Sequence, residues 1–503
     1  MTKRSGTIAL SIVTAFGVAA SLATPAAAEN PNNSQKMRKA VTLEAVTEHL
    51  EQFQAIADAN DGNRGAGTSG YEASAQYVEQ TLQAAGYETE RQYFTFTYQE
   101  TLADSLTEVS PEARDIEHVP MSYSPDTPEG GITADLATPT VATGCDASEY
   151  AGADVAGKIV LVSRGVCSFG QKSLAAAEAG AAAAVIYNNT DGVLNGTLGE
   201  PSDGYVPTAG ITQAEGQTLL SKLAAGPVVL NFTLQQLIEE RETFNILAET
   251  ATGRDDNVVM LGAHLDGAYE GPGISDNATG SAALLETAVQ LAKVNKLNNK
   301  VRFAFWGAEE LGLLGATHYV NDLVENNPTE LDNIATYLNF DMVGSPNYII
   351  GVYDADQSTY EAPVEVPEGS IATEAIFTDY FDSIGQPWVD TEFSGRSDYQ
   401  PFIENGVASS GLFTGADDIK TEEEVAMFGG TAGIQHDPNY HTAADDINNY
   451  SPEAMDINSD AIAHAAITLA QDTSSINGVE SNGKSGKPKK QVAPQAPEGQ
   501  AAA

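Results

Sequence analysis

The sequence predicts an α/β fold in which a mostly parallel central sheet is flanked by helices and interrupted by a β-rich insert. Three observations lead there. After Thr243, apolar runs of strand length alternate with longer stretches of helical periodicity, the rhythm of a parallel sheet with crossover helices. The runs at 258–265, 301–306 and 335–341 are apolar almost throughout, as strands covered on both faces are. From about Ser105 to Ile238 the texture changes to short strands, Pro and Gly turns and one Ala-rich helix near 172–183.

Taken in order, residues 43–86 read as helical, with Leu50, Phe53, Ile56 and Ala57, then Tyr77, Val78 and Leu82, at helix-like intervals. Gly65 to Gly70 breaks that stretch, and a strand follows over 88–97. Beyond the insert come strand 258–265, helix 279–297, strand 301–306, helix 311–323 and strand 335–341.

The 503-residue chain suits two domains plus tails. Lys3 and Arg4, an apolar run from Ile8 to Leu22 and the small residues Ala26, Ala27 and Ala28 form a predicted secretory signal peptide over 1–28. The run is short, contains Ser and Thr, and lacks a basic flank, which argues against a membrane anchor. Residues 473–503 form a predicted disordered tail: from Gly478 on they place Lys484, Lys487, Lys489 and Lys490 among Gly, Ser, Pro, Gln and Ala. A net charge of -46 makes nucleic acid and anionic membranes poor partners and fits a well-solvated exported protein. Cys145 and Cys167 are the only cysteines, and in an exported chain the pair is expected to be a disulfide.

Metal-type ligands sit where the predicted strands end. The first run leads into His264 and then Asp266, whose carboxylate could anchor the second imidazole nitrogen. Asp276 precedes the long helix, Glu309 and Glu310 follow the second strand, and Asp341 closes the third. Neighbouring residues on an extended chain point apart, so one glutamate can bind metal while the other faces substrate. In such sheets ligands gather beyond the carboxyl ends of the strands.

With Asn339-Phe340-Asp341-Met342 and Tyr440-His441, these motifs resemble the secreted bacterial leucine-type aminopeptidases of the co-catalytic two-zinc peptidase family. The resemblance covers 42–104 and 239–472, as two parts of one peptidase domain with a zinc-exopeptidase fold. The stretch between, 105–238, resembles the protease-associated domain through Gly157 to Gly165, Cys167-Ser168-Phe169 and Ala183 to Asn189.

The resemblance implies two zinc ions: His264 and Asp341 on one, Glu310 and His441 on the other, Asp276 bridging. It makes Glu309 the general base, Tyr440 an oxyanion donor, and Arg396 a residue that seats the substrate. Met342, Gly395, Phe413 and Tyr440 would surround the first side chain, favouring Leu, Met or Phe over Asp or Gly. The implied partners are peptides with free N-termini, acted on by a monomer. His436 competes with His441 for the second imidazole, but Tyr440-His441-Thr442-Ala443 matches the family pattern and Gln435-His436-Asp437-Pro438 does not.

Two departures stand out. Relatives bracket the Tyr-His pair with a disulfide where this chain has Asn439 and Ala444, leaving packing or Pro438 to hold the loop. Relatives may bind calcium on the last helix, where Asp456 and Asp460 match half of the site, but the N-terminal segment near Ala40 and Val41 lacks the matching acid. The competing functions are another exopeptidase on the same centre, which would need cationic groups for a substrate carboxylate, and a binding protein that has lost catalysis. Apart from Arg396 the motifs hold no basic residue, and all five ligands and the base are present.

Overall fold

The computed structural model describes residues 31–199 and 201–480; the predicted signal peptide and residues 481–503 lie outside them. One sheet of 14 strands runs through the described residues. Its centre is four parallel strands in the order Ser409–Phe413, Ile334–Phe340, Arg254–His264 and Asn299–Trp306. Antiparallel neighbours flank them: Gly351–Tyr353 on one side and Val229–Glu249 on the other.

Side-chain alternation in the central strands builds two cores, one on each face. Val259, Leu261, Ala263, Phe303 and Phe305 pack under helices Leu43–Ala59, Ser69–Ala85, Thr279–Leu291 and Pro452–Gln471. Met260, Ala304, Trp306 and Tyr337 pack under Leu314–Asn326 and Gln400–Glu404. Burial on both faces is why these strands read as continuous apolar runs. Helix Thr279–Leu291 is buried along almost all its length, so its sequence shows little amphipathic contrast.

The insert does not hang from a flexible linker. Strands Thr89–Ser110 and Val229–Glu249 pair along nearly their whole length and run from the peptidase half into the insert, with a register shift between Thr101 and Ala103. The expected boundaries at 104/105 and 238/239 thus fall inside continuous strands. Beyond them the sheet continues through Ile132–Ala137, Ile159–Ser163, Ala183–Tyr187, Thr208–Ile211 and His118–Pro120.

The Ala-rich helix is Phe169–Glu178, capped by the Ser168 hydroxyl on the Gln171 N–H, and it ends before 183 because the chain turns through Gly180 into the next strand. A second helix, Gln213–Ala225, was not expected; Thr212 caps it through the Glu215 N–H. Cys145 and Cys167 are joined in a disulfide, their Cα atoms 5.9 Å apart. Buried Lys172 braces the same loops by donating to the carbonyls of Thr143 and Gly165 at 2.7 and 2.8 Å.

Order extends past both expected ends of the peptidase domain. Helix Ser34–Ala40 packs on Pro452–Gln471 with Met37 fully buried, and helix Ser474–Asn477 lies within the expected tail. Asp460, one of the two calcium-type acids, pairs with Arg38 at 3.2 Å, so the protein supplies its own cation there.

Candidate metal centre

His264, Asp276, Glu309, Glu310, Asp341 and His441 converge beyond the carboxyl ends of the central strands. His264 Nε2 lies 3.1 Å from Asp276 Oδ1 and 3.2 Å from Asp341 Oδ1. His441 Nε2 lies 3.3 Å from Asp276 Oδ2 and 2.9 Å from Glu310 Oε2. Asp276 therefore turns one oxygen to each imidazole. His436 is directed elsewhere, against Gly415 and towards Glu424 at 3.4 Å.

Three non-glycine residues in the left-handed region lie at or next to these ligands: Ala308 with φ 58°, Met342 with φ 53° and His441 with φ 54°. Backbone strain of this kind gathers where a site fixes side-chain direction. At Ala308 and Met342 it lets the chain turn sharply off the ends of strands Asn299–Trp306 and Ile334–Phe340.

Hydrogen bonds tie the ligand-bearing segments to each other. The Asn277 amide donates to the Phe340 carbonyl at 2.9 Å, and its oxygen accepts from the N–H groups of Gly280 and Met342 at 2.9 and 3.0 Å. This links the Asp276 turn to the strand carrying Asp341. The Asp445 carboxylate accepts from the N–H groups of Ser275 and Asp276 at 2.7 and 3.1 Å, linking the same turn to the His441 loop. Asp341 is held by a polar chain from Trp306 Nε1 through Tyr337 Oη, Asn339 and the Ser397 hydroxyl, whose last hydrogen bond is 2.5 Å.

Asp266 departs from its expected role. His264 Nδ1 meets the main-chain carbonyl of Asp266 at 3.0 Å, while the nearest oxygen of its carboxylate is 3.7 Å away. The carboxylate instead accepts from the N–H groups of Glu309 and Glu310 at 3.2 and 3.4 Å. It orients the glutamate pair rather than the imidazole.

Arg64, fully buried, escaped the sequence reading. Its guanidinium donates to the carbonyls of Leu265, Pro272 and Gly273 at 2.6, 2.8 and 2.5 Å, fastening the segment between His264 and Asp276. Burial pulls its pKa down to about 10 against the raising influence of Asp266, Asp445, Asp276 and Glu310, so it remains a cation at neutral pH.

The His441 loop is held neither by a disulfide nor by Pro438, which is exposed. The amide of buried Asn449 donates to Asp437 and Asp445 at 3.0 and 2.9 Å, and Asn439 donates to the Asn449 oxygen at 2.8 Å. Asn439, the position expected to leave a gap, thus joins the clasp.

The electrostatics call for positive charge. Burial pushes the Glu310 carboxyl up to about 8, with Asp276 adding and His441 opposing. Burial likewise drives Glu309 well above the ordinary carboxylate range, eased by His264 and reinforced by Asp341 and Asp398. Burial alone would depress both imidazoles; Asp341 and Glu309 raise His264 well above its ordinary value, and hydrogen bonds to Asp276 and Glu310 raise His441 to about 10. A nitrogen and carboxylate donor set without thiolate suits zinc with open positions. Glu310 Oε1 is buried without a hydrogen-bond partner among the described residues, as a metal-directed oxygen would be. The residues fit the metal the resemblance implies.

A cleft of about 310 Å³ opens beside the cage, lined by Asp276, Glu309, Asp341, Met342, Arg396, Phe413 and Tyr440 among others. Glu309 lines it and Glu310 does not. Gly395 is not in the wall; its φ of 80° turns the chain so that Ser394 and Arg396 are. Tyr440 stacks on His441 with ring centroids 3.8 Å apart, and burial holds its hydroxyl protonated as a donor. Arg396 donates to Asp417 at 3.0 Å and lies 3.5 Å from Tyr440 Oη.

The comparisons agree with this geometry. Residues 245–466 match Peptidase family M28 and residues 132–219 match the PA domain. Leucine aminopeptidase 2 of Trichophyton rubrum is 41% identical over 455 residues, covering 90% of this chain and 88% of that protein. An aminopeptidase of Pseudomonas aeruginosa strain PAO1 is 43% identical over 447 residues, 86% of this chain and 82% of that one. Among solved structures, the aminopeptidase from Aneurinibacillus sp. strain AM-1 aligns over 92% of this chain and 98% of its own, with TM-score 0.67 and 25% identity. BSAP, a zinc aminopeptidase from Bacillus subtilis, aligns over 88% and 96%, with TM-score 0.60 and 26% identity. The chain belongs to peptidase family M28 and carries a PA domain within its catalytic domain.

Proposed function

We propose that the protein is a secreted zinc aminopeptidase that removes large hydrophobic N-terminal residues such as leucine from peptides, with two metal ions in its cage. The observation that carries this reading is Asp276, which offers one carboxylate oxygen beside His264 and the other beside His441. Two clusters built around one shared carboxylate suit a pair of ions. His264 and Asp341 would hold one, and Glu310 and His441 the other.

When bound, zinc supplies Lewis-acid polarisation of the scissile carbonyl and makes water more acidic. The protein's own groups do the rest. Glu309 faces the cleft and takes a proton from the attacking water, then returns it to the leaving amine. Tyr440 donates its hydroxyl to the oxygen that gains charge. Glu309 and Asp341 attract the substrate ammonium, while Met342 and Phe413 offer apolar surface to its first side chain.

Leucine p-nitroanilide is the direct test. It should be cleaved, chelation should abolish cleavage, and the N-acetyl form should be inert because it lacks the ammonium. Comparable rates on free and acetylated substrates would point to an endopeptidase or another exopeptidase. No helix among the described residues is long and apolar enough to cross a membrane. Export as a monomer after cleavage at Ala28 is part of the proposal, and N-terminal sequencing and sizing of protein from the culture medium test it.

A further inference from the structure

A second group of carboxylates converges away from the cage. Asp354 follows strand Gly351–Tyr353, Asp390 lies in strand Val389–Thr391, and Glu374 projects from helix Gly369–Ile384. One oxygen of each lies within 4.8 Å of the other two. Asp354 is 1% exposed and Glu374 6%. Burial pushes the Glu374 carboxyl up to about 7 against two main-chain N–H groups, and the charges of Asp356 and Asp354, both of its own sign, add to the shift.

Two oxygens of the group have no hydrogen-bond partner among the described residues. Asp390 Oδ1 is closed off from solvent and accepts nothing. Glu374 accepts from the N–H groups of Ala355 and Asp356, at 2.8 and 3.1 Å, through Oε2 alone. A buried anionic oxygen without a donor is costly, and in the zinc cage the same sign, at Glu310 Oε1, marks an oxygen turned towards metal. The hydrogen bonds that are made hold the carboxylates in place. Asp354 accepts from the N–H groups of Ser358, Thr359 and Tyr360 at 2.9, 2.8 and 2.7 Å, and Asp390 Oδ2 accepts from the hydroxyls of Ser358 and Thr359. Each oxygen has two lone pairs, which leaves capacity for a cation.

The donors are oxygen only, with no imidazole, so the group suits a hard cation rather than zinc. Calcium gathers several carboxylates at about 2.3–2.6 Å, whereas magnesium keeps most of its waters and takes one or two. We propose that Asp354, Glu374 and Asp390 bind one calcium ion, at a site separate from the zinc cage and from the last helix, where Arg38 already pairs with Asp460. The ion would staple two strands that pair over only three residues at the sheet edge to helix Gly369–Ile384. Tyr353 and Thr391, each next to a ligand, line the cleft, so the ion would brace that wall from behind. The site goes beyond the aminopeptidase reading and does not depend on it.

Calorimetric titration of calcium into the zinc-loaded full chain, in calcium-free buffer with magnesium present, tests the proposal. One ion per chain is expected, with Kd about 0.1–1 mM, the range of extracellular calcium modules. Tm should rise by about 2 °C or more at about ten times Kd. Asp390→Asn, which keeps an oxygen for the two hydroxyls, should bind calcium at least about tenfold more weakly and lose the Tm response while retaining its zinc. Glu374→Gln should do the same, and Asp456→Asn on the last helix should change neither. Absence of binding and of a Tm shift at about 10 mM calcium overturns the proposal. So does binding that persists in both Asp390→Asn and Glu374→Gln, or that is lost in Asp456→Asn instead.

Discussion

The insert and the peptidase half share one continuous sheet, yet they treat buried polar groups differently. Within 105–238, among the described residues, the buried side-chain atoms lacking a hydrogen-bond partner are Tyr150 Oη and Gln236 Oε1, neither of them ionised near neutral pH. Buried charges there are answered: Glu108 accepts from Arg114 and Lys222, and Lys172 donates to two carbonyls. In the peptidase half, Glu310 Oε1 and both oxygens of Asp398 are buried and unpartnered. An unanswered buried ionisable group is costly, so its presence marks where something other than packing set the choice of residue. The insert is built for stability; the peptidase half gives up some of it around the cage.

The largest expected effects probe that contrast directly. Glu309→Gln should lower turnover by at least about 100-fold while keeping its metal and fold, because proton transfer alone is removed. Glu310→Ala should instead release metal, since Glu310 faces His441 rather than the cleft. Metal analysis beside steady-state rates separates the two, and near-normal turnover in Glu309→Gln would show that the base lies elsewhere. The matching change in the insert, Glu108→Gln, weakens two ion pairs. It should lower Tm while turnover per folded molecule is kept; a large loss of turnover would mean that the insert takes part in catalysis.

The disulfide sharpens the same comparison. Cys145 and Cys167 are 22 residues apart, and opening a loop of that size costs about 3 kcal/mol in the chain-entropy account. The Cys145→Ser/Cys167→Ser variant should therefore exchange amide hydrogens faster within the insert than around His264. Uniform loosening of both halves would show that the shared long strands transmit the damage.

What the sequence made legible was decided by locality. The central strands, the ligand motifs and the break near Gly65 all carry their signal within a few residues, and the cage gathers the residues those motifs nominate. The groups that orient the ligands do not. Arg64 reaches carbonyls some 200 positions away in the chain, Ser397 reaches Asp341, and Asp445 reaches the Asp276 turn, contacts that only the tertiary fold creates. Asp266 shows the opposite error: its spacing from His264 was right, but the main chain took the imidazole and freed the carboxylate for the glutamate pair. Helix Gln213–Ala225 did have a local signal, Thr212 followed by Glu215, masked by the surrounding Pro and Gly turns.

The smallest effect concerns pH and lies in the peptidase half, away from the metal. His464, on the last long helix, stacks on Tyr380 with centroids 4.6 Å apart and shares a 2.7 Å hydrogen bond with Ser34 of the first helix. Burial, and then the neighbouring Arg38 charge, depress its pKa to about 4. An unfolded histidine titrates near 6.5, so the folded state binds the proton less readily than the unfolded one. The stability this contributes is full above about pH 6.5 and is lost as pH falls through 4, amounting to about 2 kcal/mol between pH 7 and 5. Thermal unfolding should thus show an acid-induced drop in Tm that is smaller in His464→Gln, where no proton can be taken up. Hydrogen exchange at pH 5 should place the loosening where Ser34–Ala40 docks on Pro452–Gln471 and leave the insert protected. An identical pH dependence in the two proteins would assign the acid sensitivity to other groups and remove His464 from the account.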